Sequence, residues 1–265
     1  MSEMKLSIIT VSFNNREGLL LTAKSIACQT FHDFEWIVVD GGSSDGSLDI
    51  IEQFAHRMSW HVSEPDRGIY EAMNKGLAKA RGEFVQFLNS GDGFLNSSVL
   101  ERIFSEGLSD VNYGDQWCIL NNQVIEERTY PDVLDLTYLF RSPLGHQASF
   151  IRTELAKAHP YHEEFPISAD RCFFLELYLA GAVFHHLKFP VVSFDSSGIG
   201  SREDTRVSRS QQLQRIKEGL LPVPALRDFE RLMKVKDDFD FIMRVPPLRW
   251  SFFFFKWLQK LKSRL

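Results

Sequence analysis

Four short polar stretches hold most of the residues able to do chemistry in the first hundred positions. They are "TVSFNN" (10–15), "VDGGSSDGS" (39–47), "SEPDRGI" (63–69) and "LNSGDG" (88–93). Taken singly, each is ordinary turn material, because Gly, Ser, Asn and Asp favour the backbone angles and local hydrogen bonds of turns. Together they present hydroxyls, amides, carboxylates and one guanidinium, the groups that bind a polar ligand. The last stretch poses the sharpest question, since Asp92 is its lone carboxylate.

The segments between these stretches determine where they lie. "LSIITVSF" (6–13), "EWIVVD" (35–40), "SWHVSE" (59–64) and "EFVQFLN" (83–89) read as strands. "REGLLLTAKSIACQ" (16–29), "SLDIIEQFAHR" (47–57) and "IYEAMNKGLAKA" (69–80) read as the helices that alternate with them. Such alternation predicts βαβ crossovers and a Rossmann-like, mostly parallel sheet with helices on both faces, an α/β fold. In that architecture the polar stretches all fall at the carboxyl ends of strands, where ligands bind and helix N-termini offer unpaired N–H groups.

Beyond Phe94 the alternation stops, and a mixed α+β half is predicted. Ser98 and Glu101 stand at capping-box spacing before a helix, and 111–130 reads as short strands and a hairpin. "PLGHQASFI" (143–151) reads as a strand, "SADRCFFLELYLAGA" (168–182) as a helix with Ser168 at its N-cap, and 184–201 as a strand ending in a loop. His185 and His186 are taken to reflect strand alternation alone. The predicted division is a domain over 1–205, with halves 1–95 and 96–205, followed by a helical region over 206–265.

The end of the sequence, "MRVPPLRWSFFFFKWLQKLKSRL" (243–265), has no acidic residue. As a helix it would put Arg249, Lys256, Lys260 and Ser263 on one stripe and Trp250, Phe253, Phe254, Trp257 and Leu261 on the other. Two readings fit, a helix lying in an anionic membrane interface or a terminal helix docked by its aromatic face. A net charge of −5 argues against nucleic acid as a partner. Three scattered cysteines suggest neither a disulfide framework nor a zinc site. No targeting segment and no apolar run near the ~20 residues of a membrane span is evident. A cytoplasmic protein is expected, peripheral on the inner face of the membrane if the tail lies in the interface.

The runs "SIITVSFNN", "EWIVVDGGSSDGSLDII" and "SEPDRGIYEAMNKGLAKARGEFVQFLNSGD", with "GHQASF", "SADRCFFLELYLAGA" and "VVSFDSSGIGS", resemble the inverting glycosyltransferases of family 2. The likeness is strongest to the bacterial enzymes of colanic acid, O-antigen and other exopolysaccharide assembly. It implies a GT-A fold, a nucleotide-sugar donor, most simply UDP-linked, and a saccharide or polyprenyl-linked saccharide acceptor. It also implies Mg2+ or Mn2+ as cofactor.

By matching positions, the resemblance assigns Thr10, Ser12 and Asn14 to the nucleoside, and Asp40 with Gly42 to the base or ribose. The alternative for Asp40 is an N-cap or Asx turn before Gly41 and Gly42. Asp66, Arg67 and Gly68 would lie over nucleoside and diphosphate, with Arg67 offering a fork of donors. Asn74 and Lys75 would follow from the next helix, although Lys75 also reads as a solvated charge. Family members end the fourth strand in an Asp-x-Asp or Asp-x-Asp-Asp pattern that holds a metal ion; here it is Asn89, Ser90, Gly91 and Asp92, which leaves Asp92 as metal ligand.

Asp170 matches the catalytic base, and the same carboxylate also suits a helix start. His146 matches the acceptor side or sits in the core. Gly198, Ser201 and Arg202 match a glycine-containing loop near the diphosphate, from which Ser197 and Gly200 depart. Two rivals stay open. A sugar nucleotidyltransferase would need a glycine-rich loop with Arg and Lys after the first strand, which "TVSFNNREG" lacks. A degenerate transferase that binds nucleotide without turnover is the other.

Overall fold

The computed structural model describes residues 4–121, 123–197, 206–244 and 256. β1 (Leu6–Ser12), α1 (Arg16–Ala27), β2 (Phe34–Asp40), α2 (Ser47–Phe54), β3 (Trp60–Ser63), α3 (Ile69–Lys79) and β4 (Phe84–Phe87) alternate as the apolar runs predict. Their strands lie in the order β3-β2-β1-β4, all parallel, with Ile8 facing Trp36 and Gln86 across the register. Every residue of β1 is buried, as a strand covered by helices on both faces must be.

Burial on both faces favours partners for the polar residues of β1, and Ser7 and Thr10 have them. Ser7 donates to Glu35 at 2.7 Å, and Glu35 in turn receives the guanidinium of Arg81 at 2.7 and 3.0 Å. Thr10 accepts from the indole N–H of Trp36 at 3.0 Å. Helix α3 packs onto this strand through Gly76, where an added Cβ would stand 2.5 Å from Cγ2 of Ile9.

The second half extends the same sheet. β5 (Gly93–Phe94), α4 (Val99–Phe104), the hairpin β6 (Val111–Leu120) and β7 (Gln123–Arg128), α5 (Leu136–Arg141), β8 (Ser149–Arg152), α6 (Thr153–Ala158), α7 (Ala169–Leu179) and β9 (Phe184–Asp195) follow in the chain. The path continues from β4 through β8, β6 and β9 to β5, with antiparallel pairs β4–β8, β6–β8 and β5–β9 and one parallel pair, β6–β9. The result is the expected α/β fold, parallel in its first half and mixed in its second.

Three local expectations are corrected. The run 143–151 is not one strand, because a 3-10 turn over His146–Ala148 precedes β8 and the Ser149 hydroxyl donates back to the Gly145 carbonyl at 2.8 Å. Ser98 and Glu101 form no capping box; the Ser98 hydroxyl donates to Asn96 instead. Ser168 precedes α7, but its hydroxyl is buried without a partner and caps no N–H.

The chain divides into two compact units, Met1–Leu213 and Gln214–Leu265. α8 (Arg206–Leu220) straddles the division and α9 (Val223–Arg244) belongs to the second unit. No helix of the described residues is long and apolar enough to cross a membrane.

Candidate functional site

The loops after β1 and β2 are locked together from within. Asn14, at φ 46°, accepts from the Ser44 N–H at 2.9 Å and donates its own N–H to the Ser43 hydroxyl at 2.7 Å. Asp40 is fully buried and accepts from the Gly42 and Ser43 N–H groups and from the hydroxyls of Ser43 and Ser63. Four donors occupy its carboxylate, so Asp40 braces the turn, and of its two sequence readings the geometry matches the Asx turn. Thr10 lies wholly inside the core against Trp36 and leaves no surface for a ligand, which corrects its assignment to the nucleoside. Ser12 keeps a buried hydroxyl with no partner at the end of β1.

The third loop lies against the second. A Cβ on Gly41 would meet Asp66 Oδ2 at 2.7 Å, so the bare backbone there is what admits the Asp66 carboxylate. Asp66 accepts from the Gly68 N–H at 2.9 Å; burial raises its pKa above the usual carboxylate value, against the pull of that bond. Arg67 is largely exposed and ion-paired, Nε to Glu71 and Nη2 to Glu163, both at 2.8 Å. Lys75 is likewise held by Glu64 and Glu71. The Asn74 amide exchanges two hydrogen bonds with the backbone of Tyr161, at 2.8 and 2.9 Å, and pins the segment after α6 to α3.

At the fourth loop Gly91 takes φ 102°, a left-handed conformation that glycine adopts without a Cβ penalty. The Thr22 hydroxyl clamps this turn, accepting from the Gly91 N–H and donating to the Asp92 carbonyl at 2.6 Å. Asn15, the N-cap of α1, ties the loop to the first one through the Ser90 carbonyl at 3.1 Å.

Asn89 Nδ2 lies 3.0 Å from Nε2 of His146, and its carbonyl oxygen is buried with no partner. Burial holds His146 down to about 4, so its ring is neutral and can accept at Nε2. Asp92 is buried and accepts from the backbone N–H of Asp195 at 2.9 Å. Burial pushes Asp92 up to about 8; the N–H of Asp195 opposes the rise and the charge of Asp195 adds to it.

Asp170 stands in the first turn of α7 and accepts from the N–H of Arg171 at 2.8 Å. Burial raises its pKa, against the N–H and guanidinium of Arg171. Tyr70, buried at the start of α3, donates to the Ile167 carbonyl at 3.3 Å and stacks on Tyr161 with ring centres 5.2 Å apart. Its phenol and that of Tyr161 are pushed well above 10, by burial and then by the Asp170 charge. Tyr70 thereby links the loop after β3 to the start of α7.

Several contributors were not singled out in the sequence: Asn15, Ser43, Glu163 and Asp195. For Asp195 a signal existed, because "VVSFD" repeats the form of "WIVVD", an apolar strand closed by an acid. His186 is corrected too. It stacks on Tyr113 and lies 2.9 Å from Asp115 and 3.1 Å from Asp132, so its position serves a polar cluster and not alternation alone. Gly198, Ser201 and Arg202 lie outside the described residues, as does the basic aromatic run apart from Met243, Arg244 and Lys256.

His162, Cys172 and Glu176 bring donor atoms within 4.8 Å of one another. Both ring nitrogens of His162 already face carboxylates, Glu176 at 2.8 Å and Glu164 at 3.2 Å, an arrangement that suits an imidazolium. Burial lowers its pKa, yet these two partners outweigh burial and the net shift is upward.

Comparison with known proteins adds an independent line. The family model Glycosyl transferase family 2 matches residues 7–110. The chain is 31% identical over 204 residues to an uncharacterized glycosyltransferase of Mycobacterium tuberculosis, covering 75% of this chain and 78% of that protein. It is 34% identical over 184 residues to a PGL/p-HBAD biosynthesis glycosyltransferase of the same species, covering 63% and 69%. Among solved structures, residues 1–349 of S. aureus TarS align with a TM-score of 0.62 at 26% identity, covering 73% of this chain. The chain spans 61% of that fragment, less than two thirds of its length. TarS 1–349 has also been solved in complex with UDP-GlcNAc, at 25% identity to this chain.

Proposed function

The chain belongs to glycosyltransferase family 2, and on that footing we propose that it moves a sugar from a UDP-linked donor to a hydroxyl of a saccharide acceptor, with inversion at the anomeric carbon. The observation that carries the reading is Asp170. It is a carboxylate at a helix start, raised in pKa by burial and placed against the tyrosine that follows the third loop, which is how a general base is poised. Asp170 takes the proton of the acceptor hydroxyl as that oxygen bonds to the anomeric carbon. The bond from that carbon to the diphosphate breaks on the opposite face, and the nucleoside diphosphate leaves with the electron pair.

The donor half is supported by the loop cluster. Ser12 and Asn14 offer hydroxyl and amide to the nucleoside, with Gly42 in the same loop cluster; Asp66 and Gly68 belong to the neighbouring loop, and Arg67 supplies a fork for the diphosphate once it leaves its carboxylates. The residues of the fourth loop fit a hard divalent cation, since the loop carries the Asp92 carboxylate and a buried Asn89 side-chain oxygen that has no partner. Such an ion, Mg2+ or Mn2+, would neutralise charge on the departing diphosphate.

The acceptor we assign is a saccharide or a polyprenyl-linked saccharide, met at a membrane surface through the basic aromatic run. A panel of nucleotide sugars assayed with Mn2+ for hydrolysis and transfer, with product configuration read by NMR, tests the reading. Tight nucleotide binding with no turnover across the panel would replace it with a non-catalytic binding protein. Truncation after Asp240 is expected to abolish sedimentation with anionic liposomes while sparing transfer to a soluble acceptor; unchanged sedimentation rejects the membrane contact.

A further inference from the structure

We propose that Asp195 supplies the second carboxylate of the divalent-cation site at Asp92, standing in space where position 91 offers no side chain. This rests on the glycosyltransferase reading above and deepens it by naming a ligand that lies 103 residues away from Asp92 in sequence.

The geometry comes from strand pairing. β5 pairs antiparallel with β9, with Gly93 opposite Ser193 and Phe94 opposite Val192, and the Ser193 hydroxyl donates to the Gly93 carbonyl at 3.2 Å. That register carries the end of β9 past the fourth loop, where the Asp195 N–H bonds to Asp92 Oδ1 at 2.9 Å. A Cβ built on Gly91 would lie 2.8 Å from Asp195 Oδ2 and 3.2 Å from its Cβ. The place that a side chain at position 91 would fill is therefore taken by the Asp195 carboxylate. Asp195 Oδ1 accepts from the Ser197 N–H at 2.9 Å, which orients the group and leaves Oδ2 on the Gly91 side.

Asn89 contributes the other observation. Its carbonyl oxygen is buried and unpartnered, which is costly unless something outside the chain binds there. With Asn89 and Asp92 in one loop and the Asp195 backbone bonded to Asp92, an amide oxygen and two carboxylates are available as oxygen donors of the kind hard cations take. The turn is stiff before any ion arrives, because Thr22 holds both the Gly91 N–H and the Asp92 carbonyl. The acid that the linear motif lacks at position 91 thus returns from another strand.

The test is Mn2+ binding to the metal-free full chain, read by the loss of the free-ion EPR signal, without and with UDP. Wild type is expected to bind Mn2+. Asp92→Asn and Asp195→Asn should each weaken binding by about tenfold or more, since even outer-shell losses at metal sites reach that size. Asp195→Asn keeps an oxygen for the Ser197 N–H, so a weakened site cannot be put down to a broken turn; thermal melting checks the fold of each variant. Asp45→Asn, an acid in the neighbouring loop, should bind as wild type. Wild-type affinity in Asp195→Asn, with Asp92→Asn weakened, overturns the assignment of Asp195 and leaves the glycosyltransferase reading standing. Failure of the wild-type chain to bind Mn2+ with or without UDP overturns the cation site as a whole.

Discussion

Arg67 Nη2 lies 2.8 Å from Glu163 Oε2, so the loop after β3 is tied by its guanidinium to the segment between α6 and α7, 96 residues on. A diphosphate that takes this guanidinium must displace a carboxylate. Glu163→Gln is therefore expected to tighten UDP binding modestly, because an exposed ion pair that competes for the guanidinium is weak but no longer has to be broken. Isothermal titration calorimetry measures it, and weaker binding in the variant would remove Arg67 from the diphosphate site.

Asp170→Asn keeps the size and hydrogen-bonding shape of the side chain but cannot take a proton. Its kcat should fall by about 10²–10⁴, the usual contribution of a general base, while the Kd for UDP stays unchanged. Because the folded pKa is raised, the ionised form accumulates only above the ordinary carboxylate value, and kcat/KM should climb with pH through an acid limb set there. Arg171 favours the charged form, so Arg171→Gln should move that limb to higher pH. A limb that stays put would separate it from Asp170.

The His162 cluster sets a stability dependence of opposite sense. Its folded pKa is raised, so the contribution is fully present below the unfolded value near 6.5 and is lost as pH rises through the folded value. Urea unfolding from pH 5 upward should show this decline, and Glu176→Gln should flatten it. An equally steep profile in the variant would place the titration elsewhere.

Gly76→Ala should destabilise the protein by about 1–3 kcal/mol, the range for overpacking, because a methyl at that point meets Ile9 in a strand buried on both faces. The loops at both ends of α3 would feel the shift. Chemical denaturation gives the number, and a neutral result would show that α3 can slide on β1 without loss.

Much of the donor half was legible from local signals. The runs around Ile8, Val38 and Phe87 are apolar over strand length and the segments between them have helical length, so βαβ order followed directly. Turn chemistry placed "DGGSSDG" and "NSGDG" at strand ends. Asp170 could be singled out because the residues around it resemble a family pattern. Roles were less legible than places. Thr10 and Asn74 carry suitable groups, yet one serves Trp36 and the other Tyr161. Nothing near them in the chain reveals those partners.

The sequence by itself determined the alternation of elements, the strand ends at which polar residues gather, and the lone acid in "FLNSGDG". These depend on periodicity and on preferences acting within a few residues. The tertiary structure alone decided that Asp92 has a neighbour in Asp195 and that Asn89 meets His146. It also decided that Arg67 begins from a closed pair with Glu71 and Glu163. Apart from the local i,i+4 contact of Arg67 with Glu71, those relationships are set by strand register and by packing between segments from 57 to 103 residues apart, over which local preference carries no information.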